Sequence, residues 1–233
     1  MTGALELTVA RANGTREALR LEEPALVIAG YTGRDAAAVQ RHIDELAAHG
    51  IEPPPAVPML WPLPAYLLAV ARDGLEVPFA TSCGEAEPVL IRDAAGELFV
   101  TVGSDQTDRE VERASVLLSK LVCPKIVAGE AWPFAEVAAG WDGLRLRSLA
   151  GGAPYQDGPA SLIRRPEELL ALVEERGVAA GRPLVLFCGT VPLLDGAFRF
   201  DRSFAAELED PARGRTLRCA YSVLEVSTPK EAA

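Results

Sequence analysis

Three carboxylates stand close together within residues 83–109. Glu85 and Glu87 lie two apart at the head of one apolar run, and Asp105 closes the next. Side chains on a strand alternate faces, so Glu85 and Glu87 point to one side. Residues 89–91, a turn around Ala94-Ala95-Gly96 and residues 98–102 read as a β-hairpin with a glycine-containing loop. That hairpin returns Asp105 toward the glutamates. Three acidic oxygen donors with no His or Cys among them suit a hard divalent cation, Mg²⁺, Mn²⁺ or Ca²⁺, rather than zinc. In a chain this acidic the same Glu-x-Glu pair also reads as a solvated strand face.

A second constellation is His42 and Glu45, three apart on a helical pattern and therefore on neighbouring positions of one face. A histidine titrates near neutral pH and a carboxylate beside it fixes its tautomer, so the pair suits a general base and its orienting group. The same spacing also describes an ordinary surface pair. Lys120 and Lys125 flank Cys123-Pro124 and could reach either the carboxylates or an anionic substrate. Gly189-Thr190, at the mouth of the most apolar strand, can offer a backbone N–H and a hydroxyl to a ligand. His49 ends its helix as a cation or cap.

These groups need a scaffold, and composition supplies one. The chain has 233 residues, 49% of them hydrophobic, enough for a single domain with a full core. Its net charge of −10 opposes a nucleic-acid or anionic-membrane surface, because both reward positive charge. The N-terminus lacks the basic start and unbroken apolar core of a signal peptide, and residues 57–71 are interrupted by Pro58, Pro62 and Pro64. A cytoplasmic protein acting on a small molecule is expected. Cys83, Cys123, Cys188 and Cys219 are widely spaced, so reduced, buried thiols are expected rather than a zinc ribbon or disulfide framework.

Along the chain, residues 4–10, a turn at Asn13-Gly14 and residues 19–21 predict an N-terminal hairpin. Residues 25–30 predict a buried strand, followed by a helix with Asp35 as N-cap and Val39, Ile43 and Leu46 on one stripe. Six prolines between 53 and 64 predict an extended crossing without interior strand. Short strands are expected at 67–70 and 75–77, and one helix over 107–120 with Val111, Leu118 and Val122 on its apolar stripe. Residues 144–147 alternate as a strand, and 151–159 are rich enough in glycine and proline to predict a mobile loop. Pro166 opens a helix that Gly177 ends, with Leu169, Leu170 and Val173 buried; residues 183–188 follow as a buried strand. Residues 198–204 and 216–226 complete an antiparallel end.

In this order the pieces resemble the fumarylacetoacetate hydrolase superfamily over about residues 25 to 226. Gly30-Tyr31 and His42-Ile43-Asp44-Glu45 resemble its Asn-Tyr … His-x-x-Glu segment, and residues 53–61 its proline-rich run. Glu85-Ala86-Glu87 resembles its Glu-x-Glu metal pair. Ser104-Asp105-Gln106-Thr107-Asp108-Arg109 resembles its Asn-Asp-x-x-x-Arg-Asp, with Ser104 in place of Asn and Arg109 one place late. Lys120 resembles its substrate lysine, with Lys125 also eligible, and residues 186–190 its Thr-Gly-Thr-Pro strand end. Val191-Pro192-Leu193-Leu194-Asp195 departs from its Pro-x-Gly-x-Gly loop.

The resemblance implies a β-rich α+β fold, a mixed β-roll of several sheets with peripheral helices. It implies one domain over 1–233 with the 1–24 hairpin packed on it, and a homodimer. Glu85, Glu87 and Asp105 would hold Mg²⁺ or Mn²⁺, with Ca²⁺ possible; His42, Glu45 and Lys120 would be catalytic; Tyr31, Arg109, Lys125, Gly189 and Thr190 would bind a small anionic substrate. The implied activity is metal-dependent hydrolysis of a C–C bond in a 2-oxo acid or acylpyruvate. The alternatives are a 2-oxo acid lyase (decarboxylase or dehydratase/isomerase) and a catalytically inactive metal-stabilised module.

Overall fold

A computed structural model describes residues 4–48 and 52–226. The N-terminal hairpin is β1 (Leu5–Ala10) and β2 (Arg16–Leu21), followed by the buried β3 (Ala25–Gly30) and the helix α1 (Ala36–Ala48). Asp35 caps α1: its Oδ1 accepts from the backbone N–H groups of Ala37 and Ala38 at 2.9 and 3.1 Å. The proline-rich stretch ends in β4 (Met59–Leu63), which pairs with β3. It forms a sheet edge, where Pro62 is tolerated because no ladder partner awaits its missing N–H. The short strands β5 (Leu68–Val70), β6 (Leu75–Val77) and β7 (Ser82–Cys83) lead into the hairpin β8 (Ala86–Arg92) and β9 (Leu98–Asp105).

Beyond Asp105 the chain departs from the helix expected over 107–120. It forms β10 (Thr107–Asp108), then two helices of a turn or so each, α2 (Arg109–Glu112) and α3 (Val116–Leu121). Two side chains force the break. Asp108 caps α2 by accepting from Glu110 and Val111 N–H, and Ser115, in extended backbone, caps α3 by accepting from Leu118 N–H. Leu118, placed on an apolar stripe by its spacing, is 51% exposed.

The remainder comprises β11 (Lys125–Val127), β12 (Glu130–Pro133), α4 (Phe134–Val137), β13 (Arg145–Ala150), β14 (Ala153–Pro159), α5 (Pro166–Glu175), β15 (Leu184–Phe187), β16 (Ser203–Asp210) and β17 (Arg215–Glu225). The glycine-rich stretch expected as a mobile loop is therefore mostly β14. Gly151 and Gly152 make the turn at positive φ, and β14 then pairs with β13 along its length, burying Tyr155 and Gln156. Residues 198–202 are irregular, and the strand expected there begins at Ser203.

Ten strands form one mixed sheet with the path β2-β1-β12-β9-β8-β15-β3-β4, β11 joining β9 to β5. Five more form a second sheet, β14-β13-β16-β17-β6. The larger core lies between the sheets, with Leu90, Val100, Leu186, Phe204 and Tyr221 among its members. The opposite face of the large sheet buries a second cluster that includes Leu26, Ile28, Val89, Ile91, Phe99 and Phe187. Every second residue of β8 belongs to that second face, and this parity puts Glu87 on it. All four cysteines are free and buried. Among the described residues no helix is long and apolar enough to cross a membrane.

Candidate functional site: a carboxylate cluster between two lysines

The site is built on three adjacent strands. The register of β8 and β9 pairs Ala86 with Ser104 and Glu87 with Gly103. One step back, Glu85 faces Asp105, whose N–H donates to the Glu85 carbonyl at 3.0 Å. On the far side of β9 the register pairs Asp105 with Lys125 of β11. Glu85, Asp105 and Lys125 thus lie in a row across the sheet, with Glu87 diagonal to Asp105. Gly103 opposite Glu87 contributes no side chain to crowd the acids. One carboxylate oxygen from each of Glu85, Glu87 and Asp105 lies within 4.8 Å of the other two. The convergence read from the sequence is present.

Cations surround the cluster. Lys125 Nζ lies 2.6 Å from Asp105 Oδ1 and donates to the Gln106 carbonyl at 2.6 Å. Lys120, from α3, pairs with Asp105 Oδ2. Both lysines therefore face Asp105, so the choice left open between them is resolved as a pair. Burial alone would raise the Asp105 pKa, but the charges of Lys120 and Lys125 overcome it and hold it down at about 2. Lys120 is pushed up despite its burial, because Asp105, Glu85 and Glu87 all favour its charge. For Lys125, more completely enclosed, burial prevails and the pKa falls.

Arg109, expected at the substrate, instead braces Glu85. Its Nη2 is 3.0 Å from Glu85 Oε1, its Nη1 donates to Glu112 Oε2 at 2.8 Å, and its Nε donates to Cys83 Sγ at 3.0 Å. The groups expected of Gly189-Thr190 are likewise engaged. Gly189 N–H donates to Glu87 Oε2 at 2.7 Å, and the Thr190 hydroxyl donates to the Ala86 carbonyl at 2.7 Å. Gly189 has φ +102°, and a Cβ there would lie 1.8 Å from Thr32 Oγ1, so only glycine lets this strand end turn onto Glu87. Tyr31, half-buried and itself at φ +55°, stacks at a tilt on Trp61 with centroids 6.1 Å apart. Trp61 in turn lies with its ring centroid 5.5 Å from Lys120 Nζ. His42 and Glu45 fall on α1, but their side chains, like all of His49, lie outside the described residues.

A divalent cation fits this donor set. Glu87 is 3% exposed and, among the described residues, has no cationic partner; its one protein donor is the Gly189 N–H. Burial, with Asp105 beside it, lifts the Glu87 pKa well above the usual carboxylate value. A buried carboxylate left in that state, next to two others, is what a doubly charged ion offsets.

Two buried supports carried no signal in the sequence. Gln156 of β14 accepts the Ala86 N–H at 3.0 Å and donates to Thr190 Oγ1 and the Val191 carbonyl at 2.6 and 2.7 Å, tying β8 to the end of β15. Tyr221 of β17 donates to Gln106 Oε1 at 2.6 Å and lies 2.8 Å from Ser104 Oγ, which accepts the Glu85 N–H at 3.2 Å. Both come from the second sheet, distant in sequence, and no spacing within the acid-bearing stretch points to them.

A family model described as "Protein of unknown function (DUF2848)" matches residues 29–221. The chain belongs to the DUF2848 family. Comparison by sequence with curated proteins gives no match. Solved structures similar to this DUF2848 chain include a fumarylpyruvate hydrolase from Pseudomonas aeruginosa in complex with Mn²⁺ and pyruvate, at TM-score 0.61 and 15% identity over 96% of this chain and 97% of that one. A 5-carboxymethyl-2-hydroxymuconate delta-isomerase from Mycobacterium smegmatis gives TM-score 0.62 and 13% identity over 96% and 99%. A 2-keto-3-deoxyarabinonate dehydratase gives TM-score 0.61 and 15% identity over 91% and 78%. The DUF2848 chain thus has the β-rich α+β fold of the fumarylacetoacetate hydrolase superfamily.

Proposed function

We propose that this protein is a divalent-metal-dependent hydrolase that cleaves a C–C bond in a 2-oxo acid or acylpyruvate-type substrate. The observation that carries the reading is the meeting of Glu85, Glu87 and Asp105 within 4.8 Å, with Glu87 buried and in no ion pair among the described residues. These three residues would hold Mg²⁺ or Mn²⁺, which when bound supplies Lewis-acid polarisation of the substrate's oxygens. Arg109 keeps Glu85 aimed at the other acids, and Gly189 N–H does the same for Glu87. Lys120 Nζ lies between Asp105 and the Trp61 ring and offers positive charge to the substrate's carboxylate. His42, steered by Glu45, takes the proton from the attacking water, and the departing pyruvate carbanion is protonated at carbon. The acids stand on the sheet face that carries the second hydrophobic cluster, whose low polarity strengthens each of these interactions. The same reading carries a homodimer, which light scattering tests.

The isomerase and dehydratase among the similar structures favour a lyase as the second reading. The two separate on products. Chelator-treated protein reconstituted with Mg²⁺ or Mn²⁺ and given acylpyruvates should release pyruvate and a carboxylic acid, with His42→Ala lowering the rate by about 10²–10⁴. Carbon dioxide from oxaloacetate, or dehydration of a 3-deoxy-2-oxo acid without acylpyruvate cleavage, establishes the lyase instead. No turnover with any 2-oxo acid, alongside a Tm raised by metal, leaves a binding module.

A further inference from the structure

Two aromatic rings lie against the cations that pair with the carboxylate cluster. Trp61 adjoins Lys120, the partner of Asp105, and carries Tyr31 against it. The Trp61 ring lies across Gly30, where a Cβ would be 2.2 Å from the ring, so the indole is pinned to the backbone of β3. The Tyr31 hydroxyl is within electrostatic reach of both Glu112 and Lys120. The Phe198 ring lies 4.2 Å from the Arg109 guanidinium carbon, and Arg109 holds Glu85. Phe198 is 48% exposed.

Its position is fixed by the loop that carries it. Leu193 bridges to Gln156, Leu194 N–H donates to the Tyr155 carbonyl at 3.0 Å, and Arg199 reaches Asp195 at 2.7 Å and the Pro154 carbonyl at 3.2 Å. The loop is thereby fastened along β14, with an aromatic ring left open to a ligand beside the acids.

Charge points the same way. Among the described residues, each cation that touches the cluster is already held by a protein carboxylate: Lys120 and Lys125 by Asp105, and Arg109 by Glu85 and Glu112. Arg199, next to Phe198, is held by Asp195. Among the described residues, counting Glu85, Glu87, Asp105 and Glu112 as anions and Arg109, Lys120 and Lys125 as cations leaves one negative charge, or one positive charge with a divalent ion bound. That matches the single carboxylate of a 2-oxo acid head. A second substrate carboxylate would meet no cation among the described residues that is not already paired with a protein carboxylate.

Resting on the reading of the site given above, we infer that the substrate carries an apolar group, aromatic or alkyl, beyond its 2-oxo acid head, and that Phe198 and Trp61 select it. Titration calorimetry of the Mg²⁺-loaded protein with pyruvate, 2-oxo-4-phenylbutanoate and 2-oxoglutarate tests this. The phenyl compound should bind at least about tenfold tighter than 2-oxoglutarate, the scale expected for burying an aromatic ring. Phe198→Ala should narrow that ratio and Phe198→Lys should reverse it. Pyruvate binding together with 2-oxoglutarate binding as tightly as the phenyl compound overturns the inference and leaves the metal-site reading standing. Failure of all three to bind, pyruvate included, overturns both.

Discussion

Two neighbouring stretches provide the opposite charges of the site, and they place them by different physics. Residues 85–105 put acids on a hairpin, where alternation and a hydrogen-bonded register fix each side chain to a face. Residues 107–125 put cations on two very short helices and a three-residue strand, where no period operates. The ladder fixes the backbone beneath the acids, whereas the two lysines are placed by pairing with Asp105. Asp105 is the joint between the two regions, since both lysines meet it.

Cutting that joint has the largest expected effect. Asp105→Asn leaves two buried ammonium groups without their counter-charge and should cost about 3–5 kcal/mol, the usual penalty for orphaning one partner of a buried pair. For a chain of this length that is a fall in Tm of roughly 6–20 °C, readable by calorimetry. A loss below about 1 kcal/mol would mean that the second region does not depend on the first.

A titration sharpens the same contrast. Glu87 has a folded-state pKa raised well above its ordinary 4.5 by burial and by Asp105. In metal-free protein the unfolded chain therefore releases this proton first as pH rises, and stability declines from about pH 4.5 upward until the folded pKa is passed. Glu87→Gln should flatten that decline, and Mg²⁺ or Mn²⁺ should oppose it in the wild type, both followed by thermal melts across pH. An unchanged slope in the variant would assign the decline to another group. The smallest effect belongs to the outward side of the cation-bearing region: Leu118→Gln, at a position 51% exposed, should change stability by no more than about 0.5 kcal/mol in a urea titration.

The same contrast separates what could be read early from what could not. The hairpin, the parity of Glu85 and Glu87, the return of Asp105, the Asp35 cap and the apolar strand ending at Gly189 were all legible, because each follows from a local rule. The single helix over 107–120 was misread because Asp108 and Ser115 cap from within it. The strand at 153–159 was misread because its glycine content speaks for a loop, while pairing along the whole of β13 outweighs that preference. Arg109 was legible as a site residue but not as the brace of Glu85, since it meets Cys83 and Glu85 only when β7 pairs with β10.

By itself the sequence determined the charges available, the faces on which three acids stand, and the core that seats them, since alternation and hydrophobic pattern act over a few residues. Only the tertiary structure decided that Lys120 and Lys125 share Asp105, that Gln156 and Tyr221 reach across from the second sheet, and that Trp61 and Phe198 lie against Lys120 and Arg109. Those contacts join segments 15 or more residues apart, and their energies depend on burial, which no local spacing records.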